Sequence, residues 1–197
     1  MEAQRLRRFV PGDLNEAQQR VHDAITGGAR AAGPSDFSLV NDDGSLAGPF
    51  NALVAAGDLG FAIQGVGEAI RFHGTLPAKA RELAILLVAR SWRAEFEWYA
   101  HEAVARRVGV TDEVIEAILA GEPPDLDDSK MQAAHDVTEE VLSSRTLSDS
   151  TFAVAHAALG EAQLLELVAL IGYYGLLAGV LNGFAVGIPD SATPRFR

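Results

Sequence analysis

The chain has 197 residues, 48% of them hydrophobic and 22% charged, with 27 acidic against 16 basic side chains. That length gives one domain with a sizeable core. The net charge of -11 repels phosphate backbones and argues against a nucleic-acid partner. The absence of cysteine excludes disulfides, thiolate metal sites and thiol nucleophiles.

Met1 to Arg8 carries Arg5, Arg7 and Arg8 with no apolar stretch behind them. This is not a signal peptide, so a cytoplasmic chain is expected, with the arginines on a solvated tail. Leu14 to Ile25 is an amphipathic helix stopped at Gly27 and Gly28. Gly33 to Pro49 is a polar connection. Its Asn41-Asp42-Asp43-Gly44-Ser45 lacks the spacing and the closing Glu of a calcium loop and reads as a turn.

Helices follow over Phe50–Ala56 and Leu59–Phe72, and Pro77 opens another that runs to about Arg90. The next spans about Ala94 to Val108, with Gly109 as its stop. Thr111 caps Asp112–Ala120. After an acidic loop, helices run over Ser129–Ser143, Ser148–Leu159 and Glu161–Phe184. No strand alternation persists, so the class is all-α. Leu167 to Ile188 is uncharged and long enough to span a bilayer. Its glycines every four residues, its Asn182 and the lack of close basic flanks favour a helix buried in a core or a subunit interface.

P-loop, dinucleotide, nucleophile-elbow and zincin motifs are absent. The informative residues lie between Ala80 and Glu102. Glu97 and His101 are one turn apart on the apolar side of their helix, and Glu82 stands among Ala78, Ile85 and Ala89 on the preceding one. Each polar group needs a partner there. In a simple antiparallel hairpin Glu82 approaches the far end of the second helix, so meeting Glu97 and His101 requires a bend. A carboxylate raises a histidine's pKa and burial lowers it, a balance suited to passing protons. A self-satisfied structural pair and a shared metal ion are alternatives on the same residues.

Leu76-Pro77, Arg81-Glu82-Leu83-Ala84-Ile85-Leu86, Glu97-Trp98-Tyr99-Ala100-His101, Ala105-Arg106, Gly109 and Ile115 resemble the carboxymuconolactone decarboxylase family of the AhpD-like superfamily. The resemblance is firm over about 76–118. It implies a single all-helical domain over 1–197, an AhpD-like helical bundle assembled as a homotrimer or homohexamer. Alkylhydroperoxidase members carry a C-x-x-C pair; its positions here hold Ala94 and Glu97, so thiol peroxidase chemistry is lost. The relay positions carry over as Glu82 and His101.

The resemblance thus implies a cofactor-independent carboxy-lyase of aromatic-compound catabolism. It would act on a small cyclic carboxylic acid through Glu82, Glu97 and His101, with no metal. Arg71, Arg81, Arg90 or Arg93 is expected to bind the substrate carboxylate, and Trp98 with Tyr99 either to wall the pocket or, as is usual for such rings, to pack in the core. The alternative is a non-catalytic oligomeric binding or scaffold protein that keeps the fold.

Overall fold

A computed structural model describes residues 5–32 and 38–196. Among these residues are nine α-helices: α1 Glu16–Gly27, α2 Ala29–Ala32, α3 Pro49–Ala55, α4 Asp58–Glu68, α5 Ala78–Trp92, α6 Glu95–Arg107, α7 Asp112–Ala120, α8 Ser129–Ser144 and α9 Asp149–Gly183. A π-helical turn, Ala69–His73, extends α4. The described residues form no strand, only an isolated bridge between Val40 and Leu46. The expected class is therefore the observed one. Contacts divide the chain into two compact units, Met1–His73 with Val180–Pro189, and Gly74–Gly179 with Asp190–Arg197.

In the first unit, Val21 and Ile25 of α1 pack with Phe9, Leu46, Phe50, Leu53 and Val54. Asn15 and Gln18 form a reciprocal capping box that starts α1. Buried Asn51 accepts from the Phe9 N–H (2.9 Å) and donates to the Arg7 carbonyl (2.9 Å). That tether fixes the backbone of the basic segment, while Arg5, Arg7 and Arg8 stay exposed to solvent as expected. Arg8 pairs with Asp43 at 3.1 Å, and the Arg7 guanidinium lies over the Phe9 ring. The Asp43 turn itself is held by hydrogen bonds from the Ser45 N–H and hydroxyl. These and Arg8 hold its carboxyl at about 2, below the usual range. Gly60 is required by close approach: a β-carbon there would lie 1.8 Å from the Leu53 carbonyl oxygen.

The second unit is built around α5, which packs against α6, α7 and α8. Leu83 through Ala89 are all buried, as expected of a core helix apolar on every side. α5, α6 and α7 end in the same way. Ala94, Val110 and Glu122 N–H groups reach back to Ala89, Ala105 and Ala117 carbonyls (2.8–2.9 Å). A left-handed residue precedes each of them: Arg93, Gly109 and Gly121. This is the Schellman ending. Gly109 and Gly121 adopt it freely, whereas Arg93 does so at φ 50° against its side chain's preference.

α9 contains the break expected between two helices, at Gly160 (φ 75°, ψ 170°). It is long and apolar enough to cross a membrane, yet half of its most apolar stretch is buried within the chain. Core helices place apolar surface in this way. Two of its spaced glycines, Gly175 and Gly179, face the Trp92 ring, which a β-carbon at either position would meet at ordinary contact distance.

Candidate functional site

Only Arg93 (φ 50°, ψ 40°) and Ala94 (φ −83°, ψ 91°) separate α5 from α6. Across this corner Glu82 and His101 meet directly, with His101 Nδ1 2.7 Å from Glu82 Oε2. Glu82 is fully buried and His101 7% exposed. A carboxylate buried in a core helix costs several kcal/mol unless it is paired. Glu82 is paired at both oxygens, because Arg81 Nε donates to Oε1 at 3.3 Å. An ionised Glu82 accepts only, so it places the imidazole proton on Nδ1 and turns Nε2 outward from the pair.

Tyr174 of α9 presents its ring edge-on to the His101 ring, centroids 5.1 Å apart, and Tyr173 packs edge-on to Tyr174. His101 is thus held by a carboxylate at one nitrogen and by an aromatic ring beside it. From sequence, Tyr174 reads as simple packing in an apolar helix. Only the fold brings it to His101.

Glu97, one turn before His101, is 3% exposed. Neither of its oxygens has a hydrogen-bond partner. The mutual contact expected between Glu97 and His101 is therefore not a hydrogen bond. Burial pushes the Glu97 carboxyl well above the usual carboxylate range. An unpaired carboxylate in an apolar wall takes up a proton rather than bear the cost of its charge.

The other expected site residues each have their own surroundings. Arg81 is committed to Glu82. Arg71 belongs to the first unit, on the π-helical turn, with its guanidinium near the Phe72 ring. Arg90 and Arg93 line a cavity of about 520 Å³ with Ser91, Glu139, Ser143 and Phe196. Glu82, Glu97 and His101 are not in its lining. Trp98 is packed in the core. Its indole is fully buried, donates to Glu102 Oε2 (3.0 Å) and meets the Phe196 ring edge-on. Tyr99 packs edge-on to Phe96. Among the described residues no three His, Cys, Asp or Glu side chains group as metal ligands.

The C-terminal segment, unassigned from sequence, is anchored on α6 and α7. Glu95 accepts from the Arg195 and Phe196 N–H groups, and the Arg195 guanidinium bridges Glu102 and Glu116.

With this geometry in view, the comparisons with known proteins are coherent. Residues 58–140 match the carboxymuconolactone decarboxylase family. The resemblance seen in the motif is therefore found independently over a longer stretch that includes all of α5, α6 and α7. No curated protein matches the chain. An uncharacterized peroxidase-related protein from Silicibacter sp. TM1040 has a similar structure. Its TM-score is 0.67 at 14% identity, covering 97% of this chain and 94% of that one. The apo debrominase Bmp8 aligns with a TM-score of 0.66 at 15% identity, covering 89% and 87%. At such identities the likeness establishes a shared all-α fold.

Proposed function

We propose that this chain is a cofactor-independent carboxy-lyase or related proton-transfer enzyme acting on a small cyclic carboxylic acid of the carboxymuconolactone type. The observation that carries this reading is the buried 2.7 Å contact between Glu82 and His101, with a second carboxyl, Glu97, one turn away. A carboxylated lactone loses CO2 when the electron pair of the breaking C–C bond is delocalised into a conjugated carbonyl. The resulting enolate then takes one proton on carbon. The protein must shelter the carboxylate from water and supply that proton.

His101 is the donor in this scheme, delivering from Nε2 while Glu82 holds Nδ1–H and stabilises the imidazolium formed on reprotonation. Glu97, neutral because it is buried, acts as an uncharged proton carrier beside the ring. The chain's lack of cysteine keeps thiol peroxidase chemistry out of the proposal, whatever the structural neighbour is called. The proposed setting is the cytoplasm. The proposed working form is a homo-oligomer, supported by the apolar surface that α9 leaves exposed at Leu165, Val168 and Leu176.

The test is CO2 release from carboxylated unsaturated lactones, followed with wild type and His101→Ala. Wild-type turnover lost in a variant of unchanged helical content supports the proposal. Equal rates in both remove His101 from the reaction. The second reading, a non-catalytic binding or scaffold protein, draws on the near-complete burial of all three polar groups within one chain. It predicts no turnover on any such acid while assembly persists.

A further inference from the structure

The chain before α5 has no side-chain cap of its own, because Pro77 occupies the cap position. Its free backbone groups are satisfied from α9 instead. Glu166 Oε2 accepts from the N–H groups of Thr75 and Leu76, both at 2.7 Å, and Oε1 accepts from the Thr75 hydroxyl at 3.0 Å. Gln163, one turn earlier, donates to the Thr75 carbonyl at 2.9 Å. Gln163 is itself steadied by Lys130 of α8, which donates to its side-chain oxygen at 3.2 Å. Charge-assisted bonds to two successive N–H groups fix that segment in position as well as direction.

Each helix tied by this clamp contributes one contact to His101. Glu82 lies within the first two turns of α5, and Tyr174 lies two turns beyond Glu166 on α9. Farther along, Trp92 at the end of α5 faces Gly175 and Gly179 of α9, where a β-carbon would just reach its ring. The clamp lies on one side of the imidazole contacts and Trp92 on the other. A slip of one helix past the other would pull Glu82 or Tyr174 away from the ring.

We infer that Glu166 is a positioning residue: its carboxylate clamp on Thr75 and Leu76 sets the register of α5 against α9, and so the geometry in which Glu82 and Tyr174 hold His101. This rests on the reading of Glu82 and His101 as the working pair, but it can be tested without turnover. The readout is the imidazole Nδ1–H proton resonance of the 15N-labelled full chain, assigned by its loss in His101→Ala.

Glu166→Ala is expected to shift or broaden this resonance, and Thr75→Val, which removes one leg of the clamp, to shift it less in the same direction. Glu140→Ala is the control. It removes a comparable clamp, on the Ser148 N–H (2.8 Å) and hydroxyl (3.3 Å), and should lower the melting temperature with the resonance in place. In the CO2 assay Glu166→Ala should lose roughly tenfold or more in kcat, as sub-ångström misplacement does, with KM within about twofold. A folded Glu166→Ala with an unmoved resonance overturns the inference. If Glu166→Ala does not fold, an unmoved resonance in both Glu166→Gln and Thr75→Val overturns it. A wild type without turnover refutes the proposed reaction, while the resonance still decides the clamp.

Discussion

Glu97 is the residue whose chemistry departs most from its usual behaviour. Its carboxyl is buried, has no hydrogen-bond partner and titrates well above the usual carboxylate range. In the unfolded chain it titrates near 4.5. Between these two values the folded state holds a proton that the unfolded state has released. Stability is therefore fully present below pH 4.5 and is lost as pH rises through the folded value. The slope from this one group reaches about 1.4 kcal/mol per pH unit. Glu97→Gln keeps the shape and removes the titration. Denaturant midpoints measured from pH 5 to 8 should be flatter for the variant, and higher than wild type at the alkaline end. A variant that keeps the wild-type slope would show that Glu97 is ionised in the fold. Asp43 works in the opposite direction. Its folded value of about 2 means that its contribution is present at neutral pH and fades only as pH falls from about 4 towards 2.

At the scale of the elements, α3 and α4 approach so closely at Gly60 that a β-carbon would overlap the Leu53 carbonyl. Gly60→Ala should therefore cost at least about 2 kcal/mol or prevent folding, read from the chemical denaturation midpoint. An unchanged midpoint would mean that the two helices can separate without loss. Helix periodicity, Thr111, Gly109 and the Gly160 break were legible in the sequence because each acts within a few residues of its own position. So was the anomaly of Glu82, Glu97 and His101, three polar groups on apolar faces. What sequence left open was how they connect. It did not show the left-handed Arg93 corner that brings Glu82 to His101, since an arginine there gives no turn signal. Nor did it show Glu166 on Thr75 and Leu76, Tyr174 on His101, or the tail on Glu95. Those contacts join positions 19 to 101 residues apart, and nothing local marks either end. The cover of Trp98 was hidden for the same reason, because Phe196 comes from the end of the chain.

For the whole molecule, α9 leaves apolar side chains exposed at Leu165 (70%) and Leu176 (42%), surface that an assembly would cover. The proposed assembly predicts a trimeric or hexameric mass by size exclusion with light scattering, shifted towards monomer by Leu165→Glu with Leu176→Glu. A wild-type monomer at micromolar concentration would refute it. Glu82, Glu97 and His101 are three of the buried polar groups, and in a chain without cysteine they are the ones proposed to move protons. The most direct test of that claim is CO2 release from a carboxylated unsaturated lactone by wild type and His101→Ala at matched helical content. The account predicts turnover in wild type and a loss of about a hundredfold or more in the variant. Equal rates in the two proteins, or no release by wild type from any such acid, would contradict it.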